Sequence, residues 1–232
     1  RGSSIKSTHG IACGPIEVLK TLSRVSSMIT QGGKRDGANM AVMSVYHPDI
    51  REFISCKQTE GDLHNFNISV GVDSNFMSAA EAGVTYPLIN PHTNEVTGYE
   101  SASAILEPGV VFLDRINEDN KVIKAHGEMI ATNPCGEQPL LPNESCNLGS
   151  INLSRFYIDS SESNWRGNID WNRLEVVTRQ SVHFLDNIID INEYATPEIK
   201  EQTRATRKIG LGIMGFADLL IQLRIAYNSK LG

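Results

Sequence analysis

The sequence predicts an α/β fold on three observations: helix-like and strand-like periodicities alternate along the chain, the composition is that of a globular protein, and two apolar strand segments are separated by stretches that can cover them. Of 232 residues, 40% are apolar and 21% charged, enough to build a packed core and unlike disordered or membrane chains. No run approaches the roughly 18 to 20 apolar residues of a membrane helix. The N-terminal RGSSIKSTHG lacks the apolar stretch of a signal peptide. The chain therefore reads as cytoplasmic, with no membrane partner.

A net charge of −6, from 27 acidic and 21 basic residues, argues against a nucleic-acid-binding surface. Any nucleotide recognised would be a small molecule. Cys13, Cys56, Cys135 and Cys146 form neither a CxxC pair nor a metal-like spacing with histidine, so no metal site is expected. In a reducing compartment such cysteines are buried apolar fillers or redox-active groups. Without an export signal, the sequons at Asn67, Asn143 and Asn152 read as chance matches. The missing initiator methionine and the abrupt end at YNSKLG suggest a segment cut at both ends.

Gly14-Pro15 opens a helix on which Val18, Leu22, Val25 and Ile29 recur as one buried stripe. QGGKRDGAN, residues 31–39, ends it with three glycines that permit turns other residues resist. ANMAVMSV, from Ala38 to Val45, is apolar on both faces, as in a strand covered on both sides. NFNISVGV, from Asn65 to Val72, sets Phe66, Ile68, Val70 and Val72 against Asn67, Ser69 and Gly71. That alternation suits a barrel strand with its small-polar face on a ligand cavity, and equally a half-exposed strand. Residues 87–109 are turn-rich, with Pro87, Pro91, Gly98, Pro108 and Gly109, and lead to a short strand from Val110 to Asp114. A helix capped by Asp170 runs from about Trp171 to Ile191 with Leu174, Val177, Ser181, Leu185 and Ile188 on one stripe, and another spans Gly215 to Leu223. No internal repeat is present.

The chemistry concentrates in ATNPCGEQPLLPNESCNLGSINL, Ala131 to Leu153. Pro134, Pro139 and Pro142 exclude a regular helix and leave an extended or looped path, and in an extended one Asn133, Cys135 and Glu137 would share a face. Such a trio offers a hydrogen-bonding amide, a reactive sulfur and a general base. The residues alone leave two other readings open. One is a loop cysteine among prolines beside a solvent-facing glutamate. The other is Cys-His hydrolase chemistry with His126, nine positions before Cys135, for which no oxyanion hole is found.

NPCGEQPLL followed by ESCNLGSINL resembles the finger-loop signature of ribonucleotide reductases, nearer in wording to the adenosylcobalamin-dependent class than to the di-iron class. STHGIACGPI, QGGKRDGANM, HPDIREFI, NFNISVGV, GVVFLDRIN and RKIGLGIMGFADLLI match the same family in order, across nearly the whole chain. The resemblance implies the central part of a ten-stranded α/β barrel, with residues 1–232 as part of a single catalytic barrel domain and a finger loop holding Cys135 near its centre. It implies reduction of ribonucleotides to 2′-deoxyribonucleotides by a thiyl-radical mechanism, with adenosylcobalamin as cofactor. Cys135 would abstract the 3′-hydrogen of the ribose, Glu137 take the 3′-hydroxyl proton and Asn133 hold the ribose. Asn133, Pro134, Cys135, Gly136 and Glu137 together form the implied substrate-binding stretch.

Cys146 matches one member of the reducing cysteine pair, whose disulfide a thioredoxin-like protein or another dithiol would reduce. Neither Cys13 nor Cys56 stands in the context of its partner. Cys13 reads as a packing residue near a glycine turn and Cys56 as half-exposed on the HPDI helix. Gln31, Gly32, Gly33, Lys34, Arg35, Gly37 and Ala38 match the specificity loop, which relays a deoxynucleotide effector bound at a homodimer interface. A basic solvated turn is the plainer reading of that loop. The chain departs from the family at Asp36, where a second basic residue is usual, and in 102–112, which is shorter by roughly a dozen residues, about three helical turns. It also lacks a proline often found in the NEDNKVIKAHGEM stretch. The family's phosphate-binding loop would lie beyond the C-terminus, so this segment alone should not turn over. Two rivals remain: the large subunit of a di-iron or di-manganese reductase, and a non-catalytic nucleotide-sensing relative.

Overall fold

The computed structural model describes residues 2, 10–31, 35–58, 63–104, 109–159 and 167–232, with only the backbone of 30, 31, 35, 36 and 104. The STH of the first motif, Gly32, Gly33 and Lys34 of the glycine-rich loop, and residues 105–108 of the short 102–112 segment lie outside the described residues. Two compact units divide the chain, Arg1–Pro142 and Asn143–Gly232.

The first unit opens with α1 (Pro15–Met28), its proline in the first turn as expected. The stripe of Val18, Leu22, Val25 and Ile29 is 47–64% exposed, which corrects the expected orientation. Instead Ile16 and Ser23 are buried and Leu19 packs on the core. Polar bonding decides the rotation: the Ser23 hydroxyl donates to Oδ1 of Asn65 at 2.7 Å, and Asn65 returns Nδ2 to the Ser23 carbonyl at 2.9 Å. Next come β1 (Thr30–Gln31) and β2 (Arg35–Asp36), which pair antiparallel.

β3 (Asn39–Ser44), α2 (Ile50–Ser55), β4 (Phe66–Val72), α3 (Ser74–Ala82), β5 (Thr85–Ile89), β6 (Val96–Ser101) and β7 (Gly109–Phe112) follow. β3, β4 and β7 form a parallel sheet with β4 in the middle. All of β4 is buried except Asn67. Phe66, Ile68, Val70 and Val72 join Val45, Ile50, Phe53 and Phe76 in the core, each fully buried aliphatic side chain stabilising by about 1.5–3 kcal/mol. Asp73 ends β4 and caps α3 by accepting from the Phe76 amide at 2.8 Å, an arrangement worth about 1 kcal/mol. At Gly71 a Cβ would stand 2.6 Å from Leu113 Cδ1, so any larger residue there would have to push the Leu113 side chain aside.

β5 and β6 make an antiparallel hairpin in the region expected to be turns. Pro87 sits within β5, which among the described residues pairs in a sheet with β6 alone, an edge position where a proline is tolerated. β7 leads into α4 (Leu113–Glu118), then α5 (Ile123–His126), β8 (Ala131–Thr132) and β9 (Pro139–Leu140).

The second unit pairs β10 (Asn147–Asn152) in parallel with β13 (Ile209–Met214). Between them lie the two-residue pair β11 (Tyr157–Ile158) and β12 (Asn168–Ile169), then α6 (Trp171–Ile191) and α7 (Pro197–Thr206); α8 (Phe216–Gln222) closes the chain. The Asp170 side chain caps α6 through the Arg173 amide at 2.9 Å, and the stripe from Leu174 to Ile188 faces inward with Leu185 buried, as expected. Among the described residues no sheet closes on itself: the α/β class is observed, and the ten-stranded barrel is not.

Candidate active site

β8 and β9 form a hairpin whose tip is Asn133–Gln138. Of the extended and looped paths expected, the looped one is adopted. The Gly136 amide donates to the Asn133 carbonyl at 3.0 Å, making Asn133–Gly136 a β-turn with Pro134 at its first central position. Gly136 has φ +83°, and a Cβ there would meet nothing within 4 Å, so backbone conformation rather than space requires glycine. Asn133 fastens the tip twice more, donating its amide to the Gln138 carbonyl at 3.0 Å and accepting the Gln138 amide on Oδ1 at 2.9 Å.

A turn replaces the alternation on which the shared face of Asn133, Cys135 and Glu137 depended. Cys135 is exposed and lines an open cavity of about 990 Å³ together with Pro134 and Gly136. Neither Asn133 nor Glu137 lines it; Glu137 is exposed and Asn133 half-buried. His126 does not line it either.

The remaining walls come from residues that sequence reasoning had not marked as functional. Asn67 and Ser69 of β4, Gly109 and Val111 of β7, Met40 of β3 and buried Thr132 bring the small-polar sheet face to the cysteine. This favours the ligand-cavity reading of β4 over the half-exposed one. Lys57 and Arg115 contribute the cations of the wall. Asn67, read in the sequence both as a chance sequon and as part of the small-polar face of NFNISVGV, donates Nδ2 to the Pro134 carbonyl. Its place on that face was its signal in the sequence.

Cys146, in the second unit, is half-buried just before β10. Its neighbours are tightly fastened. Glu144 is buried and pairs with Lys208 at 2.6 Å. The Ser145 amide donates to Thr203 Oγ1 at 3.2 Å, and Asn147 Nδ2 to the Leu185 carbonyl at 3.1 Å. Cys56 is half-buried beside the first unit's core, as expected, whereas Cys13 is exposed rather than packed. Among the described residues no cluster of His, Cys, Asp or Glu could hold a metal ion, and no helix is long and apolar enough to cross a membrane.

The family model described as ribonucleotide reductase, barrel domain, matches residues 1–107 and 99–232. The two stretches overlap over 99–107, which runs into the 102–112 region read as shorter than the family. The chain is 46% identical to the vitamin B12-dependent ribonucleoside-diphosphate reductase of Thermoplasma acidophilum, over 97% of this chain and 30% of that protein. It is 44% identical to the protein of the same name from Mycobacterium tuberculosis strain H37Rv, over 99% of this chain and 33% of the relative. The ribonucleoside-diphosphate reductase subunit alpha of Chlamydia trachomatis is 29% identical over 99% of this chain and 26% of its own length. The chain thus spans about a third of the length of the relatives it matches most strongly.

Proposed function

The chain belongs to the ribonucleotide reductase family, whose barrel-domain model it matches along its length, and from this we propose that its full-length parent reduces ribonucleotides to 2′-deoxyribonucleotides with adenosylcobalamin as cofactor. The observation that carries the reading is an exposed Cys135 on the wall of a cavity of about 990 Å³. That volume is at the upper end of the roughly 300–1,000 Å³ of small-molecule sites, so it suits a nucleotide with a second group beside it.

Adenosylcobalamin, when bound, supplies the organic radical that makes the thiyl form of Cys135. Cys135 then takes the 3′-hydrogen of the ribose and later returns it. Glu137 accepts the 3′-hydroxyl proton and Asn133 orients the ribose, roles that require both to turn toward the cavity once substrate is seated. Pro134 and Gly136 hold the turn against the substrate. The 2′-hydroxyl leaves as water while Cys146 and a second thiol give up two electrons and two protons to become a disulfide. An external dithiol, such as a thioredoxin-like protein, restores the pair. Cobalamin dependence is favoured over a metal-dependent partner subunit by 46% and 44% identity to B12-dependent relatives against 29% to the subunit alpha.

The same reading extends to the rest of the parent, a cytoplasmic enzyme in which further strands complete a ten-stranded barrel. Residues Gln31 to Ala38 act as its specificity loop, and the short β1–β2 pairing suits a segment that reshapes on effector binding. The exposed apolar stripe of α1 supports a homodimer. The test is an anaerobic assay of purified parent with ribonucleotide, dithiol and adenosylcobalamin. Deoxynucleotide is expected without a second subunit; product only on adding a metal-containing partner would overturn the cobalamin assignment.

A further inference from the structure

We propose that Asn67 is a positioning residue for Cys135: reaching from β4, its carboxamide latches the Pro134–Cys135 peptide and thereby fixes the aim of the thiol. The inference rests on the reading of Cys135 as the reactive thiol. In the turn Asn133–Gly136 the central peptide joins Pro134 to Cys135. That peptide can lie in either of two orientations, the type I and type II forms, which differ by a flip of about 180°. Pro134 is compatible with both, because proline suits the first central position of either type. The type II form would put Cys135 at a positive φ, and Cys135 is not among the residues with one.

The carbonyl that swings in such a flip is that of Pro134, and it accepts the hydrogen bond from Asn67 Nδ2. Asn133, by contrast, bonds through the turn's outer atoms and leaves the central peptide free to rotate. Asn67 is also the one exposed residue of β4, in a strand whose other side chains are all buried, and it lines the cavity beside Cys135. A rigid sheet therefore reaches the turn through one amide, at the peptide whose orientation sets the direction of the Cys135 side chain. A flip would leave the hairpin intact and still re-aim the sulfur, and small misplacements of a reacting group are costly to rate.

The experiment compares Asn67→Asp with Asn67→Ala in the full-length parent. Aspartate preserves size but replaces the donor with an oxygen facing the Pro134 carbonyl, so the latch predicts damage at least as great as with alanine. A packing role predicts the reverse order. Two readouts are taken: kcat and KM for ribonucleotide reduction, and the alkylation rate of Cys135 in cofactor-free protein, resolved by peptide mass spectrometry with Cys13 as internal control. In Asn67→Asp, kcat should fall on the order of tenfold to a hundredfold with KM little changed. The Cys135 alkylation rate should shift about threefold to tenfold, the range one hydrogen bond can produce, and that of Cys13 should not. Unchanged Cys135 alkylation in both variants, or a harmless Asn67→Asp beside a damaged Asn67→Ala, overturns the latch. A wild-type parent that reduces no ribonucleotide overturns the functional reading instead, and the alkylation rates still decide the role of Asn67.

Discussion

The Gln138 amide donates to Oδ1 of Asn133 at 2.9 Å, so this side chain commits one of its oxygen's two acceptor positions to its own turn and keeps its amino group for a ligand. Asn133→Asp keeps the acceptor and loses the donor, whereas Asn133→Ala loses both. The aspartate variant should therefore retain the wild-type alkylation rate at Cys135 while kcat/KM for ribonucleotide falls about tenfold, the equivalent of one good hydrogen bond. The alanine variant should lose both. Full kcat/KM in Asn133→Asp would remove Asn133 from ribose recognition.

Where one periodicity governed a segment and packing agreed with it, the sequence was a reliable guide. Asp170 before the Leu174, Val177 and Leu185 stripe marked α6 to the residue, and the alternation in NFNISVGV marked β4. It misled where tertiary partners outvoted periodicity. The stripe of α1 has a helical period, but the Ser23–Asn65 bonds turn the other face inward. Pro87 hid β5 because a proline argues against a strand until the strand is known to lie at a sheet edge. Within the site, Cys135 was legible through its motif. The choice between an extended path and a turn stayed open because prolines that exclude a helix suit either one. Asn67 was missed because its partner is a carbonyl 67 positions away, a proximity that no local pattern encodes.

Arg207, at the end of α7 with φ +48°, reaches back to both Asp186 and Asp190 of α6, donating to the first at 2.8 Å and to the second at 2.9 Å. These bonds hold both carboxyls below the usual aspartate range. A depressed folded-state value contributes stability above the ordinary aspartate pKa, near 3.9, and loses it as pH falls through the depressed values. Hydrogen-exchange protection of the α6–α7 junction, including the Arg207 amide bonded to the Thr203 carbonyl, should therefore hold above pH ~5 and decline below ~4. Arg207→Gln should lower protection at neutral pH and flatten that decline. An unchanged acid profile in Arg207→Gln would show that these pairs contribute nothing to the junction.

The two cysteines of the ATNPCGEQPLLPNESCNLGSINL stretch act at different moments in the proposed reaction, so their variants should fail differently. Cys135 acts first, by taking a hydrogen atom, and a serine cannot replace it because a hydroxyl hydrogen is held too strongly for an oxygen radical to form in its place. Cys146 acts later, as half of a two-electron reductant. In the full-length parent, Cys135→Ser should abolish all ribose chemistry and release no tritium from 3′-labelled substrate. Cys146→Ser should still release tritium while failing to complete repeated reduction with dithiol. Lys208 to Glu144, Ser145 to Thr203 and Asn147 to the Leu185 carbonyl fasten the chain on both sides of Cys146, and a serine at 146 leaves all three in place. Repeated turnover by Cys146→Ser would make Cys146 a structural cysteine. Release of 3′ tritium by Cys135→Ser would put the radical centre at another residue, and the exposed thiol on the cavity wall would no longer support the proposed function.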